Sequence, residues 1–158
     1  MDRPVARPLT DDEQAELTQL CEGALFLLPS PEDVGMSPDE VDDGMLPKFV
    51  GVMAEAVRRG FELPITVSTD ELAMRLGALY GDEVCRLAGW EWEMLAYPNG
   101  LEALAVVRPD RALCVLPLHV VGRVMADPGV ENILEGLFTS IVEGELPLAD
   151  PGRYVVIG

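Results

Sequence analysis

The sequence predicts an α+β domain, and three observations carry that expectation. Apolar residues recur at helical spacing through the first half of the chain. The hydrophobic period then drops from ~3.6 residues to ~2 at Trp90. Pro98-Asn99-Gly100 follows as a hairpin turn signal. With 158 residues, 49% of them apolar, the chain has the size and core material of one domain. The expected order is three N-terminal helical segments, a three-stranded antiparallel meander, two C-terminal helices and an extended terminus.

Residues 1–9 contain Pro4 and Pro8 and are expected to be a loose lead-in to a single globular domain over 1–158. Thr10 to Glu13 reads as a capping box, in which hydroxyl and carboxylate each satisfy an orphan amide. Leu17, Leu20, Cys21, Ala24, Leu25 and Leu28 follow at helical spacing, and Pro29 stops that helix. Prolines and Gly35 make 29–38 a loop. Ser37-Pro38-Asp39-Glu40 starts a second helix, with Pro at its first position. Its expected face is Val41, Met45, Phe49, Val52, Met53 and Ala56, interrupted by Gly44 and Pro47, so a fresh helix is expected from about Pro47. Arg58-Arg59-Gly60 ends it, with cations in the last turn and Gly at the cap.

Residues 61–67 read as extended or irregular. Ser68-Thr69-Asp70-Glu71 starts a third helix, with Leu72, Leu76, Leu79, Tyr80, Val84 and Leu87 as its stripe. Gly77 and Gly81 lie one turn apart, a place where another element can approach closely at some expense of helix propensity. Trp90-Glu91-Trp92-Glu93-Met94 alternates as a half-buried strand, Leu101 to Val107 forms a second strand and Ala112 to Leu116 a third. Pro117 to Met125 reads as a short helix. Asp127-Pro128 is expected to cap the next, with Ile133, Leu134, Leu137, Phe138 and Ile141 inward. Tyr154 to Ile157 reads as a short terminal strand or an extended tail.

Charge supplies the main functional constraint. Asp and Glu number 28 against 11 Lys and Arg, a formal net charge of −17. A nucleic-acid backbone binder needs a cationic footprint, and an anionic membrane surface attracts basic segments, so neither partner is expected. The polar start Met1-Asp2-Arg3-Pro4 lacks a signal-peptide pattern and no apolar run approaches ~20 residues; a cytoplasmic location is expected. Arg is used ten times and Lys once, a bias that resembles a high-GC bacterial genome. Cys21, Cys85 and Cys114 are widely spaced among apolar neighbours and read as buried free thiols.

Catalytic chemistry has few candidates. No metal motif appears; Asp39-Glu40-x-Asp42-Asp43-Gly44 has the start of a calcium loop without the later ligands. No Gly-rich phosphate loop or Gly-x-Ser-x-Gly elbow occurs, and no cofactor is implied. His119 is the one imidazole, so a small hydrolase-like enzyme would have to use it, beside an Asp, Glu or Cys. The hairpin is more suggestive. Glu91 and Glu93 share one face of their strand and Trp90 and Trp92 the other. The simpler expectation places the carboxylates in solvent opposite a tryptophan-rich core face, and which surface is presented depends on the side that the helices cover.

Leu76-Gly77-Ala78-Leu79-Tyr80-Gly81-Asp82, Gly89-Trp90-Glu91-Trp92, Val106-Val107-Arg108-Pro109-Asp110 and Pro117-Leu118 resemble an uncharacterised bacterial family of small acidic α+β proteins, of the domain-of-unknown-function type. The resemblance implies no catalytic residues, and proximity of such proteins to secretion or toxin systems implies an immunity role. Small acidic α+β proteins are also similar in physical type to the dimeric chaperones of secreted effectors, although the helical lead before the first strand departs from their pattern.

The expected function is therefore non-catalytic binding of a basic protein, of immunity or escort type. Trp90, Trp92 and Tyr97 are the candidate anchors and Glu91, Glu93 and Glu102 the candidate steering charges. A hydrolase-like enzyme and a secretion-chaperone-like homodimer are the alternatives.

Overall fold

The computed structural model describes residues 4–27, 45–60, 67–127 and 129–158. Its element order is β1 (Val5–Arg7), α1 (Asp11–Leu27), α2 (Met45–Arg58), α3 (Thr69–Ala88), β2 (Glu91–Ala96), β3 (Glu102–Val107), β4 (Leu113–Val115), α4 (Pro117–Ala126), α5 (Leu134–Glu143) and β5 (Val155–Val156). The fold is α+β, with a mixed five-stranded sheet ordered β1-β2-β3-β4-β5. No helix among the described residues is long and apolar enough to cross a membrane.

The antiparallel meander β2–β3–β4 is present, but as the middle of a wider sheet. Val5–Arg7, expected within a loose lead-in, is an edge strand antiparallel to β2, with Ala6 opposite Leu95. Pro4 and Pro8 flank it; they cannot donate to a ladder, yet they favour extended backbone beside them. At the other edge β5 pairs parallel with β4, with Cys114 opposite Val156. The chain reaches that edge through α4 and α5, because parallel neighbours require a long crossover.

The helix starts follow local chemistry. Thr10 Oγ1 accepts from Glu13 N at 3.2 Å while Glu13 Oε1 accepts from Thr10 N at 2.9 Å, completing the capping box at α1. Ser68 Oγ accepts from Glu71 N at 3.1 Å at the start of α3. Pro47 lies in the first turn of α2, where its missing N–H costs no ladder bond; the expected first turn from Ser37 lies outside the described residues, as do Asp39 to Gly44. The buried face of α2 is Phe49, Val50, Met53 and Ala54, while Val52 is exposed. Nearly every residue from 49 to 57 is small or apolar, so spacing alone left that face ambiguous. Asp127 caps the end of α4, and its Oδ1 accepts from Gly129 N at 2.9 Å. The start of α5 falls later than expected, at Leu134, whose N–H is accepted by Asn132 Oδ1 at 3.3 Å.

Helix α3 is the central element, buried on several sides and packed against α1, α2, α4 and α5. Its glycines receive neighbours as expected. A Cβ on Gly77 would sit 2.6 Å from Leu118 Cα, and one on Gly81 would sit 2.5 Å from the benzenoid edge of Trp92. The main core joins the helices to Trp90, Val106, Leu113 and Val115. The opposite sheet face is also buried: Leu95, Ala105, Val107 and Cys114 are fully inaccessible and packed with Tyr97, Leu116 and Tyr154. This corrects the expectation of a solvated carboxylate face, because Glu93 stands opposite Ala105 within that second cluster.

Candidate functional site

A cleft of about 450 Å³ opens between α1, the C-terminal half of α3 and the start of β2. Helix spacing brings Leu17, Cys21 and Leu25 to one side of it. Cys85 and Asp82 reach it from α3, one turn before that helix ends at Gly89, whose φ of 74° lets the chain reverse into β2. Trp90 and Trp92 supply the remaining apolar wall. Trp92 is held by its own packing, since its ring edge lies over the missing side chain of Gly81.

The polar groups at this cleft are mostly acidic: Glu22 from α1, Asp82 from α3 and Glu91 from β2. Among the described residues neither Glu22 nor Asp82 has a cationic partner. Glu91 meets Arg111, Oε2 to Nη2 at 3.1 Å, but its side chain remains 64% exposed. The thiols register this negative field. Burial pushes Cys21 up to about 12, with Asp82, Glu83 and Glu22 adding to the shift, and it pushes Cys85 up to about 12 with Asp82 and Glu91 adding. Both thiols are therefore protonated at neutral pH and serve as small apolar wall groups rather than nucleophiles.

The sequence-predicted residues are divided by this geometry. Glu91 and Trp92 line the cleft, as does Trp90, which is only 5% exposed. Trp90 is thus wall, not a protruding anchor. Glu93 is not a steering charge: it is buried on the opposite face, with Arg111 Nε 2.7 Å from its Oε1. That contact is poorly aligned, so Oε1 has no hydrogen-bond donor, and burial raises the Glu93 carboxyl above its ordinary range against the opposing pull of Arg111. Tyr97 and Glu102 lie at the far end of the hairpin, a strand length of ~17 Å from Trp92. Tyr97 packs into the second cluster, and Glu102 is held by Arg7 at 3.2 Å, the same guanidinium that binds Glu13. Arg7 holds the Glu13 carboxyl down at about 2, chiefly through that side-chain hydrogen bond.

No family model, curated protein or solved structure matches this chain.

His119 is exposed on α4 and makes no side-chain hydrogen bond or ion pair with an acid or thiol among the described residues. No group of three or more His, Cys, Asp and Glu side chains among those residues is arranged to hold a metal ion. Sequence reasoning missed Glu22, Cys21, Leu17 and Leu25 as site residues. Their only signal is a stripe along α1 that mixes carboxylate, thiol and aliphatic groups, unlike a helix face given wholly to core or to water. Asp82 has no sequence signal beyond its place at the end of the Leu76–Asp82 segment.

Proposed function

We propose that this protein is an acidic binding domain that docks a segment of a basic protein in the cleft beside Trp92. The observation that carries the reading is the pair of carboxylates, Glu22 and Asp82, which have no cationic partner among the described residues, at a largely apolar cleft of about 450 Å³. Apolar walls supply area to bury, and the carboxylates select the sign of the occupant and steer its approach. Occupancy would let the protein neutralise or escort that partner, the immunity or escort role in molecular form.

Both tryptophans of the chain line the cleft, so intrinsic fluorescence reports directly on occupancy. A synthetic peptide of arginines, leucines and serines is expected to change the emission saturably, at equimolar stoichiometry, with affinity falling as salt rises. A peptide of identical pattern carrying glutamate for arginine is expected to leave the emission unchanged. Equal responses to both peptides, or none to either, would contradict the reading.

A further inference from the structure

The cleft also indicates which group on the partner is recognised. Its volume, about 450 Å³, lies within the range of small-ligand pockets and accommodates a long side chain. Its walls include Leu17, Leu25 and Trp92, while its carboxylates without a cationic partner among the described residues come from separate elements: Glu22 from α1 and Asp82 from α3. An occupant that satisfies both features needs an apolar stem and a cationic head able to meet both carboxylates.

We infer, resting on the reading that the cleft takes a segment of a basic protein, that the occupant is a single arginine side chain carried on that segment. The stem lies along Leu17, Leu25 and Trp92, and the guanidinium meets Glu22 and Asp82, Glu91 being held by Arg111. Arginine fits better than lysine for physical reasons. Its planar, weakly hydrated head tolerates apolar and indole walls, and its several donors diverge toward more than one carboxylate. An ammonium would give up a tighter hydration shell to enter the same space. The acidic field already felt by Cys21 and Cys85 is the field that the guanidinium would neutralise.

The test uses the full chain labelled with ¹⁵N and reads the indole N–H signals of Trp90 and Trp92, which report even weak binding. Blocked peptides of glycine and serine carry one central residue: arginine, lysine or the neutral isostere citrulline. The arginine peptide is expected to shift the Trp92 signal saturably, with affinity about tenfold above citrulline and a few-fold above lysine. Asp82→Asn is expected to weaken the arginine peptide by about tenfold while leaving the thermal midpoint and circular dichroism unchanged. Glu22→Gln supplies a second variant should Asp82→Asn disturb the fold. Equal affinity for arginine and citrulline, or for arginine and lysine, would overturn the inference; so would no shift at millimolar peptide. If the single-arginine peptide fails while the polycationic peptide still binds through Glu22 and Asp82, the single-arginine inference falls and the docking reading stands. If both fail, both fall.

Discussion

Glu93 is a carboxylate placed where water barely reaches it, 8% exposed and surrounded by Leu95, Ala105 and Cys114. Burial raises its folded-state pKa, and the neighbouring Arg111 only partly opposes that effect. For a raised carboxyl, the stability contribution is fully present below the unfolded pKa, ~4.3 for Glu, and is lost as pH rises through the folded value. Glu93→Gln removes that loss and leaves Arg111 its bond to Glu91. The variant is therefore expected to be more stable than the wild type near pH 7, with the difference vanishing near pH 3. Urea unfolding at both pH values checks this; a variant less stable near neutrality would show that the Arg111 contact outweighs burial. Nothing in the strand's alternation marked this residue. Glu91 and Glu93 read alike in sequence, yet one is mostly exposed and the other buried, because only the second faces a packed cluster.

At the scale of elements, α3 organises the helical layer through two devices. Gly77 lets the start of α4 approach backbone to backbone, and the Tyr80 hydroxyl donates to the Leu134 carbonyl at 2.6 Å, tying α3 to the first turn of α5. Gly77→Ala would gain up to ~1 kcal/mol of helix propensity. The new methyl would however meet Leu118 Cα, a backbone atom that yields only if α4 moves, and a net loss of ~1–3 kcal/mol is expected. Tyr80→Phe leaves a buried carbonyl without its donor and is expected to cost ~1–2 kcal/mol. Chemical denaturation measures both. The glycine pair was legible because close approach needs residues without side chains, and the Asn-Gly turn because Gly100 adopts a φ of 87°. Of the edge strands, β1 was not legible, and β5 was legible only as one of two readings of Tyr154 to Ile157, without its pairing. Each is held by pairing with a distant strand, and strands of two or three residues carry too little alternation to show a period. Burial of both faces had one faint sign, the unbroken apolar run Ala103 to Val107, which suits a strand covered on two sides.

Across the whole molecule, a net charge of −17 supplies a general attraction for cations, and its distribution decides whether that attraction is also specific. Many acidic groups belong to local structure. Glu13 and Asp70 sit in first helical turns, Glu55 is tied to Arg58 and Arg59, and Asp110 holds its turn through Arg108 and the Ala112 amide. Glu22 and Asp82 differ because both line an apolar cleft with no cationic partner among the described residues. Their convergence was invisible in sequence, since they lie far apart along the chain and the packing of α1 on α3 brings them together. The most direct measurement compares two double variants of identical net charge for binding the polycationic peptide by calorimetry. Glu22→Gln with Asp82→Asn removes charge at the cleft; Glu143→Gln with Glu145→Gln removes it at exposed positions around the end of α5. A focused site requires the cleft pair to lose about tenfold or more in affinity while the distant pair stays within about twofold of the wild type. Equal losses from both pairs would show that the attraction belongs to the whole acidic surface, and that the cleft is not the site.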